Sequence, residues 1–304
     1  MNQEIGGQEA AGAEPSILII GADGLLGSNA RRQFSERGLK IATASHRSDK
    51  GATVHLDLEA GVDLADLPDG LTHALFCAAI PSIDRCASEP ETTRRFNVER
   101  TCQALAELQN RGIMPIFCSS DAVYSGDEGL LYDEQSERAP LVEYGRQKVA
   151  VEDFLAGQGA DYLVIRMSKL FTLGADDTSG VVRTAQALRA GETIRAAIDQ
   201  YLRPTHVDDV LEAVERLTRA GATGVFNLVP PPGEGSLTRY QLASTIAKAS
   251  GGDTGLIETC SIDDFDFVEP RPKEVTMASA RLFQAAGMYL RPFEAFEADL
   301  RTLS

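Results

Sequence analysis

Tyr144 and Lys148 stand four residues apart in "YGRQKVAVEDFL" (144–155), a stretch patterned as a helix, so a phenol and an ammonium project from one face. A free phenol titrates at about 10, and a neighbouring ammonium draws that value toward working pH, as proton donation requires. Ser120 ends "MPIFCSS" (114–120), a strand-like run, and ligands of open α/β sheets bind beyond the carboxyl ends of the strands. A Y-x-x-x-K pair alone is commonly a surface pairing. Set beside Ser120 and a glycine loop after the first apolar run, it is far more specific.

That loop, "GADGLLG", places Gly21, Gly24 and Gly27 directly after "SILII" (16–20). Strand, tight turn and helix in this order present helix N-terminal amides to a pyrophosphate, and missing Cβ atoms admit a close approach. Asp23, Leu25 and Leu26 complete the expected dinucleotide cradle; a purely structural turn would use the same glycines. Dinucleotide folds that prefer NAD carry an acid at the end of the second strand, facing the ribose 2′-hydroxyl. Here that position reads Ser45, His46 and Arg47, without a carboxylate. Arg47 can clamp a 2′-phosphate through paired charge-assisted hydrogen bonds, so NADP(H) is expected as the preferred coenzyme and NAD(H) as the alternative. A solvated surface arginine is the competing reading. Asp57 and Leu58 end "TVHLDL" (53–58), where Asp57 meets the adenine edge or caps the strand, and Ala78 and Ala79 end "HALFCAA" (73–79); all four join the expected coenzyme site.

These residues need a scaffold that brings several strand ends to one edge. Apolar runs at 16–20, 39–45, 53–58, 73–79, 114–120, 161–167 and 224–229 alternate with helical patterns such as 94–112. Continuously apolar strands are covered on both faces, and strand–helix–strand repetition gives right-handed crossovers. The expected fold class is therefore α/β, a doubly wound, Rossmann-like parallel sheet of about seven strands. "TLGADDTSG" breaks the rhythm after residue 171, and "PPPGEGS" (230–236) links to a C-terminal portion. The expected organisation is a flexible tail (1–14), an NAD(P)-binding domain (15–173 and 205–230) and a smaller discontinuous substrate-binding lobe (174–204 and 231–304).

A net charge of -16 argues against broad binding to nucleic acid or acidic membranes, although backbone amides and a few arginines can still hold one anionic ligand. No run approaches the roughly 20 apolar residues of a membrane span. The five cysteines form no C-x-x-C pair, so buried thiols in a reducing cytoplasm are expected rather than disulfides or metal ligands. No His/Asp/Glu cluster has ligand spacing, and no metal is expected.

With "AAIPSIDRCASEP", "FNV", "SSDAVYSG", "RPTHVDDV" and "RPKEVTMASARL" added to these motifs, the chain resembles the extended short-chain dehydrogenase/reductase superfamily over residues 16 to 290. Within it the resemblance is to the dTDP-4-dehydrorhamnose reductase-like sugar-nucleotide reductases. It implies that Ser120 orients a substrate carbonyl, Tyr144 donates the proton, and Lys148 holds the nicotinamide ribose and lowers the phenol pKa. Asn97 falls at the family's helix-borne asparagine, where a structural role serves equally well. A nucleotide sugar is the implied substrate, with Pro81, Asp121, Val123 and Lys169 beside it; a homodimer is implied by analogy alone. Arg203 and Arg271, each before a proline that favours extended backbone, either hold its diphosphate or form surface salt bridges. Two departures concern the sugar: Ala79-Ile80-Pro81 replaces A-Y-T, and Lys169 stands where a tryptophan is usual. An epimerase or dehydrogenase of the same superfamily, and a non-catalytic dinucleotide-binding regulatory subunit, are the alternative readings. Retention of Ser120, Tyr144 and Lys148 together favours the reductase.

Overall fold

The computed structural model describes residues 14–47, 51–127, 129–174 and 179–303, so the tail expected at 1–14 lies, but for Glu14, outside the described residues. Seven strands, β1 (Ser16–Ile20), β2 (Lys40–Ser45), β3 (Val54–His55), β4 (His73–Phe76), β5 (Met114–Ser120), β6 (Leu163–Met167) and β7 (Gly224–Leu228), form the central sheet. Their spatial order is β7-β6-β5-β4-β1-β2-β3, and every neighbouring pair is parallel. The main helices are α1 (Leu25–Glu36), α2 (Thr101–Asn110), α3 (Glu143–Gly157), α4 (Gly180–Arg189), α5 (Val207–Arg219), α6 (Arg239–Ser250) and α7 (Ala280–Ala286).

Side chains alternate across a strand, and β1 fills both faces with apolar ones. Ile17 and Ile19 enter one core with Phe34 of α1, Leu75, Ile165 and Val210 of α5. Leu18 and Ile20 enter the other with Phe76, Leu105 of α2, Phe117 and Val151 of α3. All of these are at most 1% exposed, and full burial of each stabilises by about 1.5–3 kcal/mol. The sheet is thus clamped from both sides while its carboxyl edge stays open to ligands.

β4 ends three residues short of the run at 73–79, β6 starts two residues into that at 161–167, and two further elements differ more from the sequence expectation. The third strand is shorter than 53–58, because Asp57 turns the chain by accepting from the Glu59 N–H at 2.9 Å. The helix expected at 94–112 contains a π-helical segment, Arg95–Arg100, before α2 begins. The widened turn carries Asn97.

A second group of elements lies beyond the sheet. Ile194–Ala197 pairs in parallel with Ile257–Cys260, and Phe171, Val181, Ala185, Ile246, Phe293 and Phe296 bury a cluster around α4 and α6. The segment 231–304 is not confined to this group, since Leu282 of α7 and Leu290 return to the sheet-side core. No described helix is long and apolar enough to cross a membrane.

Candidate active site

A cavity of ≈ 510 Å³ opens at the carboxyl edge of the sheet, and Gly24, Ser120, Tyr144, Lys148, Lys169 and Arg271 are among its walls. The sequence pattern therefore led to residues that the fold brings together.

Helix α3 supplies the phenol and the ammonium. It is fastened by Glu152, one turn beyond Lys148, whose carboxylate pairs with Arg166 of β6 at 2.6 Å and accepts from Ser119 Oγ at 2.5 Å. All three residues are buried, so the helix has a fixed register on β5 and β6. At its first turn Gly145 lies against the Ala122 carbonyl, a contact that sets Tyr144 beside the end of β5.

Lys148 is buried and its Nζ donates to the Cys118 carbonyl at 2.7 Å. Burial lowers its pKa to about 8, against partial compensation by neighbouring thiols and Glu152. Nζ lies 5.5 Å from the centre of the Tyr144 ring. The expected lowering of the phenol pKa is not what the geometry produces. Burial first, and then Asp121, Cys86 and Cys118, raise Tyr144 above its ordinary value, so the hydroxyl is fully protonated near neutrality. Ser120 Oγ donates to Asp121 Oδ1 at 2.9 Å and accepts from the Ala122 N–H at 3.2 Å. Burial raises the Asp121 carboxyl, against hydrogen bonds from Ser168 and Ser120. Cys77 and Cys118 add two thiols to the wall, 3.9 Å apart.

The glycine loop is shaped by contact. Gly21 has φ +83°, and an added Cβ would meet Ala78 N at 2.7 Å; one on Gly27 would meet Gly21 O at 2.2 Å. Gly24 differs: it is exposed, lines the cavity beside Leu25 and Leu26, and an added Cβ would find only Gly21 O, at 3.5 Å. No side chain caps α1 and no acid sits in its first turn, so its N-terminal amides suit an anionic group. The residues present therefore fit a dinucleotide, with Gly24, Leu25 and Leu26 at its pyrophosphate. Ser45 Oγ donates to Asp23 Oδ2, and the Arg47 N–H donates to Ser45 Oγ at 3.1 Å. His46 and Arg47 are exposed at this edge.

A cationic pole lies opposite. Lys169 has its pKa lowered by burial and then by repulsion from Arg239 and Arg183, and Arg239 by burial and then Arg271. Arg271 pairs with Asp84 at 2.6 Å and stacks 4.4 Å from the Phe267 ring centre. Ala79 and Pro81 form another wall. Lys169 and Arg239 also border a second cavity of ≈ 130 Å³ between α4 and α6.

Four expected site residues serve the scaffold instead. Arg203 is buried and spends Nη1 on the Pro230 and Pro231 carbonyls at 2.9 and 3.1 Å, away from the cavity walls. Val123 is sealed in a cluster with Tyr124, Tyr132, Val229 and Met277. Leu58 belongs to a sheet core. Asn97 brackets Ile80, accepting its N–H at 2.8 Å and donating to its carbonyl at 3.0 Å, and donates to Gln147 at 2.8 Å. It thereby fixes the backbone between Ala79 and Pro81. Sequence reasoning missed Arg239, Gln200 and Tyr201, which line the cavity. For Arg239 a signal existed: the capping box of Thr238 and Gln241 starts α6 at this arginine, directly after the linker. Among the described residues, no group of three or more His, Cys, Asp or Glu side chains is placed to hold a metal.

Comparison with known proteins adds four findings. Residues 15–301 match the family model described as the RmlD substrate binding domain. The probable low-salt glycan biosynthesis reductase Agl14 of Haloferax volcanii is 31% identical, over 84% of this chain and 87% of that protein. The dTDP-4-dehydrorhamnose reductase of Mycolicibacterium smegmatis is 26% identical, over 90% of this chain and 81% of that protein. The crystal structure of dTDP-4-dehydrorhamnose reductase (RfbD) from Bacillus anthracis in complex with NADP superposes with a TM-score of 0.81. The match is 21% identical and covers 96% of this chain and 99% of that one.

Proposed function

Since the chain belongs to the RmlD substrate-binding-domain family of NAD(P)-dependent reductases, we propose that it reduces the 4-keto group of a nucleotide-linked 4-keto-6-deoxysugar, with NADPH preferred over NADH. One observation carries the reading: Ser120, Tyr144 and Lys148 share a single cavity with Gly24 of the glycine loop and with the Lys169, Arg239 and Arg271 pole. NADPH, when bound on the glycine loop, supplies the hydride.

The chain's own groups then have distinct work. Negative charge grows on the carbonyl oxygen as the hydride arrives, and Tyr144 gives that oxygen its proton, turning C=O into CH–OH. Burial and Asp121 keep the phenol protonated until the charge growing on the carbonyl oxygen draws the proton across. Ser120 positions the same oxygen once its single hydroxyl proton turns from Asp121 to the carbonyl. Lys148 holds the nicotinamide ribose from the floor of the cavity. The cationic pole takes the diphosphate, with Arg239 and Arg271 as its holders, and Lys169 and Pro81 border the sugar. Coenzyme and substrate displace water as they fill the cavity, which strengthens each of these electrostatic contacts.

The test is NADPH consumption, followed by absorbance, with a panel of nucleotide-linked keto-sugars and identification of the product. Turnover of a 4-keto-6-deoxysugar is expected. Tight coenzyme binding without turnover of any member would instead favour a dinucleotide-binding regulatory subunit.

A further inference from the structure

The second strand ends without an acid of its own, yet the fold delivers one from the glycine loop. The Asp23 carboxylate accepts from Ser45 Oγ, and that same oxygen accepts from the Arg47 N–H at 3.1 Å. The loop is tied to the strand end as well, because the Gly21 and Ala22 N–H groups both bond the Ala44 carbonyl, at 3.0 and 3.3 Å. Ser45 is buried, Asp23 half-buried and Arg47 exposed, so an acid and a base flank one fixed hydroxyl at the mouth of the coenzyme cradle. Among the described residues, no cation pairs with Asp23. Its carboxylate is held at the end of β2 by the Ser45 hydroxyl.

We infer that Asp23 selects the coenzyme, acting against Arg47. The inference rests on the coenzyme reading proposed above. A carboxylate at this position accepts a hydrogen bond from the ribose 2′-hydroxyl of NADH, the role an acid at the strand end plays in dinucleotide folds. The same carboxylate repels the 2′-phosphate of NADPH, whose charge Arg47 attracts. The preference between the two coenzymes is the balance of these opposed residues. Ser45 is the positioning residue: its hydroxyl holds the carboxylate of one and the backbone of the other.

The experiment measures dissociation constants of NADPH and NADH by calorimetry, without sugar, for the wild type, Asp23→Asn, Asp23→Ala and Arg47→Ala. Thermal melts check that each variant is folded. Both Asp23 variants are expected to favour NADPH over NADH at least about tenfold more than the wild type does, and Arg47→Ala to move the ratio the other way. Folded Asp23 variants whose ratio stays within about twofold of the wild type would overturn the inference alone. Wild-type protein that binds neither coenzyme would overturn the coenzyme reading, and this inference with it.

Discussion

Gly145 rests on Ala122: a Cβ added to the glycine would sit 2.0 Å from the Ala122 carbonyl oxygen and 2.9 Å from Pro140 Cβ. Neither neighbour is the movable end of a long side chain. The first turn of α3, and with it Tyr144, is therefore placed by the absence of a side chain next door. Gly145→Ala should lower stability by about 1–3 kcal/mol, as overpacking does, and push Tyr144 away from Ser120. Its expected signature is a fall in kcat larger than the fall in NADPH affinity. Unchanged kcat and an unchanged melting temperature would refute this account of the contact.

Tyr144→Phe removes only the hydroxyl. Turnover should drop by about 10²–10⁴, while the fold and NADPH affinity persist. Full activity in that variant would take the tyrosine out of the mechanism. Calorimetric titration with NADPH and turnover on one accepted keto-sugar separate the two effects.

Lys148 makes stability depend on alkaline pH. Its pKa is about 8 in the folded protein and about 10.4 in an unfolded chain. Between these values the unfolded state holds the extra proton, so the lysine's contribution rises with pH from about 8 to 10, by an amount on the order of 3 kcal/mol. Below pH 8 both states are protonated and the full burial penalty is present. Denaturant melts across this range should show the rise in the wild type relative to Lys148→Met. The same variant should also weaken NADPH binding.

Arg239 and Arg203 should separate binding from folding. Arg239→Ala is expected to raise KM for the nucleotide sugar about tenfold with less effect on kcat, since a charge-assisted contact is lost. Arg203→Ala takes the guanidinium from the Pro230 carbonyl and one of two donors from that of Pro231, and should cost about 1–3 kcal/mol of stability with KM little changed in the folded enzyme. Steady-state kinetics and thermal melts on both variants decide between these roles.

The sheet and the trio of Ser120, Tyr144 and Lys148 were legible because they rest on local pattern: apolar runs, a helix of known pitch and a serine at a strand end. Contacts between distant segments were not. Asp23 and Ser45 are 22 positions apart, and only the closure of the glycine loop on β2 joins them. Arg203 and Arg271 looked alike from their prolines, yet one guanidinium turns to backbone carbonyls and the other pairs with Asp84 at the cavity wall. Local spacing also gave no sign of the burial and the Asp121 charge that raise the Tyr144 pKa. Val123 and Leu58 were expected at the site, but the 3-10 turn Asp121–Val123 and the turn after β3 carry them into apolar clusters.

The strand order also acts as a ruler. From β2 to β5 the sheet steps through β1 and β4, three spacings in all. At about 4.8 Å each, that is roughly 14 Å of rigid, hydrogen-bonded floor between the end of β2, where Ser45 meets Asp23, and β5, where Cys118 meets Lys148. A molecule gripped at one mark and worked on at the other must bridge that span, so the width of the floor sets the reach a coenzyme needs.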